Sequence, residues 1–389
     1  MVDRRGFLWA ASGSVLGTWT GAARAQGPAE PPPQVPSDRG INEALEALRK
    51  THGLPGMIGG VVRGGTLALV GAAGKRKRGS DEAIRAGDLV HIGSCTKAMT
   101  ATLLGLLVDE GALRWDSTVR EVFPDRAPEL HPDFRAVTLM QLLNHRAGLP
   151  ADVDWWGLGR GLSTTGQRRA LLAMVMKDAP GTPPGKTFAY SNVGYALAGL
   201  MAEQVAGRPW EALMQSRVFS PLGMASAGFG APGTPGKVDQ PWGHHEAGGK
   251  VVPSQTDNAP ALGPAGTVHA TLRDWAKFAG AHLRGGRGDD RLLKPETFRA
   301  LLTPPAGGDY ACGWVAAERP WAGGKALTHS GSNTTWYATV WLAPGRGFGT
   351  LVAANQGGEA ASKACDDASG ALIRIATRRA NAGPRTPSR

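Results

Sequence analysis

Strand patterns stand at both ends of this 389-residue chain, and helical patterns fill the part between them. Near the start, residues 57–62 and 66–72 are apolar runs joined by the hairpin signal Arg63-Gly64-Gly65. Four more strand patterns follow the middle of the chain, at 311–316, 325–329, 336–342 and 349–354. Strands from opposite ends of a chain can pair in one antiparallel sheet. We therefore expect an α+β fold, with an antiparallel sheet flanked by helices and a mostly helical insertion.

These patterns divide the chain into five segments, of which three form two folded domains. Residues 1–25 are interpreted as a signal peptide, and 26–36 (QGPAEPPPQVP) as a proline-rich linker. Residues 37–90 and 265–389 are predicted to form one α/β domain from both ends of the chain, and 91–264 a mostly helical domain. The helical patterns of the middle part lie at 138–144, 167–177, 191–206 and 209–219.

The first 25 residues resemble a twin-arginine export signal. Arg4-Arg5 precedes an apolar, small-residue stretch at 9–23, and Ala23-Arg24-Ala25 has the small-x-small form of a cleavage site. The apolar stretch is too short and too rich in glycine for a stable membrane span. We expect an exported, periplasmic protein with no membrane span after cleavage. An uncleaved anchor and a chance basic start are the alternatives.

Charge and motif content exclude several classes of function. The formal net charge is +11, yet the basic run Lys75-Arg76-Lys77-Arg78 has no interleaved aromatic residues, so no nucleic-acid partner is expected. The three cysteines form no CxxC pair, and HExxH, Walker A and dinucleotide-binding glycine motifs do not occur. We therefore expect neither a metal nor a cofactor. The absence of GxSxG argues against an α/β-hydrolase nucleophile elbow.

A serine and a lysine lie one turn apart at the start of a long apolar helix predicted at 94–109. Ser94 and Lys97 share a face of that helix, so their side chains can meet. Desolvation and the positive potential of a helix N-terminus both disfavour an ammonium ion, and a neutral Lys97 can accept the hydroxyl proton of Ser94. An S-x-x-K motif is weak evidence alone, because many helices contain it by chance.

Two further motifs follow in a fixed order, Tyr190-Ser191-Asn192 and His329-Ser330-Gly331. With the serine motif they resemble the penicillin-recognising serine hydrolases, especially class C β-lactamases, D-Ala-D-Ala carboxypeptidases and the related esterases. The resemblance extends over residues 42–358. It includes LMQLLNHRAGLP at 139–150, PGK at 184–186, NVGY at 192–195, PLGM at 221–224 and PAG at 264–266.

The resemblance implies a β-lactamase/transpeptidase-like fold and a role for each motif residue. Ser94 matches the nucleophile, and Lys97 matches the lysine that activates it. Tyr190 matches the tyrosine that shares proton transfer, and Asn192 the residue that orients the substrate amide. The backbone N–H groups of Ser94 and Ser332 match the oxyanion hole. Either Lys97 or Tyr190 can be the base on this reasoning, because the two titrate as a coupled pair.

The third motif departs from the Lys-Thr-Gly or Lys-Ser-Gly form of β-lactamases, because position 329 is histidine. A lysine there gives a permanent charge for a substrate carboxylate, whereas a free histidine, with a pKa of about 6.5, is mostly neutral at pH 7. Together with Gly331, His329 therefore predicts a substrate-binding strand that selects weakly for carboxylates. This difference favours esters or amides over β-lactams.

The leading hypothesis is a serine hydrolase that acts through an acyl-enzyme on a small ester, amide or peptide. The alternative within enzymes is a D-amino-acid-directed peptidase or a β-lactamase. The alternative of another class is a penicillin-binding sensor or scaffold without turnover. The sequence leaves the oligomeric state open, and the motifs place the candidate site where the two predicted domains meet.

Overall fold

Residues 35–289 and 292–381 are described in a computed structural model of the protein. The predicted signal peptide (1–25) and most of the proline-rich linker (26–36) lie outside these ranges, so both stay predictions. Within the described ranges, no helix has the length and apolar composition that a membrane crossing requires.

Twelve strands form three antiparallel sheets in the described residues. They are β1 Gly56–Arg63, β2 Thr66–Gly74, β3 Leu89–His91, β4 Gly228–Phe229, β5 Gly243–Ala247, β6 Lys250–Ser254, β7 Val268–Thr271, β8 Tyr310–Ala311, β9 Trp314–Arg319, β10 Gly324–Ser332, β11 Tyr337–Ala343 and β12 Phe348–Ala354. The largest sheet has the order β2-β1-β12-β11-β10-β9-β8. The small sheets, β3-β7-β4 and β5-β6, were not predicted from the sequence.

The large sheet joins the two ends of the chain through the pairing of β1 with β12. Met57 lies opposite Ala354, and Arg63 lies opposite Phe348. This pairing confirms the expectation of one antiparallel sheet built from both ends. Residues of β12 are buried throughout and alternate between two hydrophobic clusters, with Leu351 in one and Val352 in the other. The period-two alternation of a strand places these side chains on opposite faces, so helices must cover the sheet on both sides.

Helices supply that cover and fill the middle of the chain. They are α1 Arg39–Thr51, α2 Thr96–Asp109, α3 Val119–Val122, α4 Pro132–Arg135, α5 Leu139–Leu143, α6 Thr164–Val175, α7 Asn192–Ala206, α8 Trp210–Leu213, α9 Gly263–Gly266, α10 Leu272–Gly285, α11 Pro295–Leu302 and α12 Glu359–Asn381. A π-helical segment, Met214–Phe219, continues α8. The side chain of Asp38 caps α1 by accepting the N–H of Ile41.

Helices α1 and α12 pack on one face of the sheet and α10 packs on the other. The cluster on the α10 side continues into the helical region, where it includes Leu139 of α5 and Leu171 of α6. One hydrophobic cluster therefore includes side chains from both predicted domains. The proposed boundaries at 90/91 and 264/265 stay predictions.

Helix α2 runs through this shared cluster, and its side chains are buried on every side along most of its length. It contacts α7, α9 and α11, which explains why its sequence is apolar all round. The predicted central helix is confirmed, with one difference at its start. Ser94 lies in a 3₁₀ turn, Gly93–Cys95, and the α-helix itself begins at Thr96.

Candidate active site

The turn that carries Ser94 touches strand β10 through two glycines. Gly93 has a φ of 49°, and a Cβ added to it would lie 2.4 Å from the backbone N of Ser332. A Cβ added to Gly331 would lie 2.1 Å from the carbonyl oxygen of Ile92 and 2.5 Å from the backbone N of Ser94. Any side chain at either position would push the strand away. The glycine pair thus brings the two predicted oxyanion-hole segments into contact.

Lys97 lies at the centre of the site and is fully buried, with 0% of its surface exposed. Its Nζ lies 2.9 Å from Ser94 Oγ, 2.7 Å from Asn192 Oδ1 and 2.9 Å from the carbonyl oxygen of Ala265. Three oxygens therefore surround the amine. The predicted contact between the serine and lysine side chains is present.

Burial controls the charge of this lysine. Desolvation lowers the pKa of Lys97 from 10.5 to about 7, although the nearby negative charge of Asp152 acts in the opposite direction. With a pKa near 7, about half of the molecules carry a neutral amine at neutral pH, against roughly one in 2,500 for a lysine in water. The side chain is therefore able to accept a proton under ordinary conditions.

Tyr190 lies over the same amine. Its ring centroid is 4.9 Å from Lys97 Nζ, and its hydroxyl interacts electrostatically with the side chain of Ser94. Burial of the hydroxyl raises the pKa of Tyr190 above its ordinary value, and the contact with Ser94 only partly opposes this. The phenol is therefore protonated at neutral pH and can act as a proton donor. The residue as a whole is 36% exposed, so it also faces the open side of the site.

Asn192 begins helix α7, which Ser191 caps by accepting the N–H of Gly194. Its Oδ1 accepts a hydrogen bond from Lys97, and its Nδ2 donates to both carboxylate oxygens of Asp152, at 3.0 and 3.2 Å. These contacts fix the amide in one orientation. Asp152 was missed in the sequence analysis, although it lies only two residues after the end of the LMQLLNHRAGLP segment.

His145 packs against the ring of Tyr190. It is a non-glycine residue with a φ of 56°, and its Nδ1 accepts the backbone N–H of Ser191 at 3.0 Å. Its ring packs against Tyr190 at 4.3 Å and Tyr310 at 4.5 Å between centroids. Burial lowers the pKa of His145 to about 2, so the ring is neutral. These features indicate a scaffold role for His145 rather than a catalytic one.

His329 is nearly buried, and both of its ring nitrogens have partners within the protein. Nδ1 donates to the carbonyl oxygen of Ser330 at 2.6 Å, and Nε2 accepts from the hydroxyl of Tyr310 at 3.1 Å. Burial and the nearby Lys97 lower the pKa of His329 to about 3. The third motif thus has a neutral ring where β-lactamases have a cation. Tyr310, which completes this pair, was not predicted from the sequence.

A largely buried carboxylate connects the two backbone segments at the glycine pair. Asp257 Oδ1 accepts from Asn333 Nδ2 at 2.8 Å and lies 3.0 Å from His91 Nε2, a contact not aligned as a hydrogen bond. His91 Nδ1 accepts the N–H of Gly93, and Asn333 Oδ1 accepts the N–H of Trp336. Asp257 therefore links the turn before Ser94 to the turn after Ser332, a role that the sequence analysis missed.

Cys95, the neighbour of Ser94, is a possible rival nucleophile. Its thiol is buried, and desolvation raises its pKa above the ordinary value. A buried, protonated thiol reacts poorly. Cys95 therefore has a packing role.

The comparisons with known proteins support a hydrolase with the β-lactamase fold. The chain belongs to the Beta-lactamase family, whose family model matches residues 41–374. Among solved structures, a β-lactamase from Sulfitobacter sp. EE-36 is similar with a TM-score of 0.71 and 22% identity, over 87% of this chain and 98% of that one. That likeness confirms the predicted fold.

Two relatives are similar in sequence over most of the chain. Penicillin-binding protein 4 of Amycolatopsis lactamdurans is 30% identical, over 81% of this chain and 84% of that protein. A D-aminopeptidase of Cereibacter sphaeroides is 28% identical, over 75% of this chain and 55% of that protein. The chain thus spans about half the length of the second relative.

A methyl group at Gly331 is expected to disrupt the site. Gly331→Ala must move β10 away from the Ser94 turn, and a displacement of about 1 Å costs about 100-fold in rate. The measurement is kcat/KM for p-nitrophenyl acetate, with circular dichroism to verify folding. Gly345→Ala is the control, because its added Cβ would lie 3.6 Å from the nearest atom. Equal activity of both variants would contradict the role of the glycine contact.

Proposed function

We propose that the protein is a serine hydrolase that forms an acyl-enzyme on Ser94 and acts on an ester or an amide. The observation that carries this proposal is the buried amine of Lys97, 2.9 Å from Ser94 Oγ. A neutral amine has two N–H groups and one lone pair. The N–H groups match the oxygens of Asn192 and Ala265, which leaves the lone pair for the hydroxyl proton of Ser94.

In the proposed acylation step, Lys97 takes the hydroxyl proton as Ser94 Oγ bonds to the substrate carbonyl carbon. The backbone N–H groups of Ser94 and Ser332 stabilise the oxyanion, and one such donor is typically worth about 3–4 kcal/mol. The protonated phenol of Tyr190 donates to the leaving group as its bond to the carbonyl carbon breaks. In deacylation, Tyr190 takes a proton from water as the water oxygen bonds to the acyl carbon, and Lys97 returns a proton to Ser94 Oγ as the acyl–serine bond breaks.

The opposite pKa shifts of Lys97 and Tyr190 favour the lysine as the base for acylation. Its pKa is lowered to about 7, whereas that of the phenol is raised. A base works best when its pKa is near the working pH, and a phenol with a raised pKa is suited to donate a proton.

Acyl compounds without a carboxylate are the proposed substrates, because the third motif supplies no positive charge. His329 is neutral and hydrogen-bonded on both sides, so a substrate carboxylate gains no ion pair there. Amides of D-amino acids are the second candidate, and the similarity to a D-aminopeptidase supports them.

Ser94→Ala is expected to abolish acylation and to reduce turnover by about 10⁴-fold or more, because no other nucleophile occupies its position. Mass spectrometry of the intact protein after exposure to p-nitrophenyl acetate, nitrocefin and D-alanine p-nitroanilide reports the adduct. Rapid steady-state release of product supports the hydrolase. A persistent one-to-one adduct without further turnover would instead identify a sensor. The absence of any label on Ser94 would identify a scaffold.

The activity is expected to rise with pH through about 7. Below the pKa of Lys97 the amine is protonated and cannot accept a proton, so kcat/KM falls about tenfold for each pH unit. The measurement is kcat/KM for an uncharged ester between pH 5 and 9, with folding monitored over the same range. A flat profile between pH 5 and 8 would rule out Lys97 as the base.

His329→Lys is expected to raise kcat/KM for carboxylate-bearing esters relative to neutral ones by at least about tenfold, or about 1.4 kcal/mol. The substituted lysine provides the charge that the histidine lacks. Because the ratio compares the kcat/KM values of the same variant for two substrates, any general loss of activity cancels. An unchanged ratio would contradict the role assigned to this position.

A further inference from the structure

Asp152 presents a fixed carboxylate at the edge of the site. The residue is exposed, yet its oxygens accept N–H groups from Asn192 Nδ2 and, at 2.9 Å, from Trp155 Nε1. These neutral donors hold the carboxylate in place without cancelling its charge.

Among the described residues, no permanently charged cation pairs with the carboxylate of Asp152. None of the ion pairs among the described residues includes Asp152. The cation nearest to it in the hydrogen-bond network is Lys97, whose pKa is lowered to about 7, and His329 is neutral. The site therefore carries a net negative charge whenever Lys97 is ready to act as a base.

We propose that Asp152 binds the ammonium group of the substrate, and that the substrates are aminoacyl esters or amides with a free α-amine. This inference rests on the proposed function, because it concerns the acyl group that Ser94 receives. Lys97 and Asn192 connect Ser94 to Asp152 through consecutive hydrogen bonds. An α-ammonium is two bonds from the attacked carbonyl carbon, so it lies close to the same network.

The carboxylate and the indole suit an ammonium chemically. A charged donor forms a stronger hydrogen bond to a carboxylate than a neutral donor does, and the free oxygen lone pairs of Asp152 are available for it. An acylated amine has no charge, so the same carboxylate repels its carbonyl oxygen. The inference therefore predicts discrimination between free and N-acylated aminoacyl substrates.

The test compares Asp152→Asn with the wild type on matched substrates. The substituted amide keeps an oxygen acceptor for Asn192 and Trp155 and removes the charge. The substrates are the p-nitroanilides of D- and L-phenylalanine and their N-acetyl derivatives. The wild type is expected to prefer the free amine of at least one enantiomer. Asp152→Asn is expected to lower the free-to-acetyl ratio of kcat/KM by about 10- to 100-fold.

Asp154→Asn is the matched control. Asp154 is also exposed and two residues away, but its carboxylate accepts the backbone N–H of Gly157 and lies outside the Lys97 network. This variant is expected to keep the wild-type ratio. Circular dichroism of both variants verifies folding.

Two results would overturn the inference. The first is a wild type without a preference for the free amine. The second is an equal loss on both substrates in Asp152→Asn, which would give Asp152 only a role in positioning Asn192. The proposed function has its own readout, the Ser94 adduct and turnover of p-nitrophenyl acetate. If these persist while the amine preference is absent, only the inference fails; if they are also absent, both fail.

Discussion

The burial of one amine is the constraint on which the rest of the structure depends. An isolated ammonium is costly to remove from water, so it either finds partners or loses its proton. Both apply to Lys97. Three oxygens contact its amine, and its complete burial favours the neutral form. The helices around α2 maintain this dry environment, and their packing therefore sets the chemistry as well as the stability of the site.

The sheet contributes the second half of the site through close backbone contact. Strand β10 reaches the Ser94 turn only because Gly93 and Gly331 have no side chains. Asp257 then ties the flanking turns together through His91 and Asn333. Packing around Lys97 and the contact at the glycines are separate features that serve the same serine. The packing controls removal of the Ser94 proton, and the glycine contact positions the N–H groups that stabilise the oxyanion.

The sequence predicted those elements whose structure depends on residues that are close together in the chain. The β1–β2 hairpin and the all-round apolar α2 follow from spacing and propensity, and the S-x-x-K contact follows from helical geometry. Asp152, Asp257 and Tyr310 were missed because their partners are distant in sequence and no periodicity marks them. The 3₁₀ turn at Ser94 was also missed, because it depends on contact with a strand more than 200 residues later.

The charges around the serine are reversed relative to a site that selects carboxylates. A lysine in the third motif would place a cation on β10, whereas His329 is neutral and Asp152 places an anion beside Asn192. The negative charge of Asp152 counteracts the effect of desolvation and keeps the pKa of Lys97 from falling further. A bound ammonium would reduce that effect and lower the pKa of Lys97. Under the proposed inference, binding of the cationic substrate would therefore itself favour the neutral, proton-accepting form of the base.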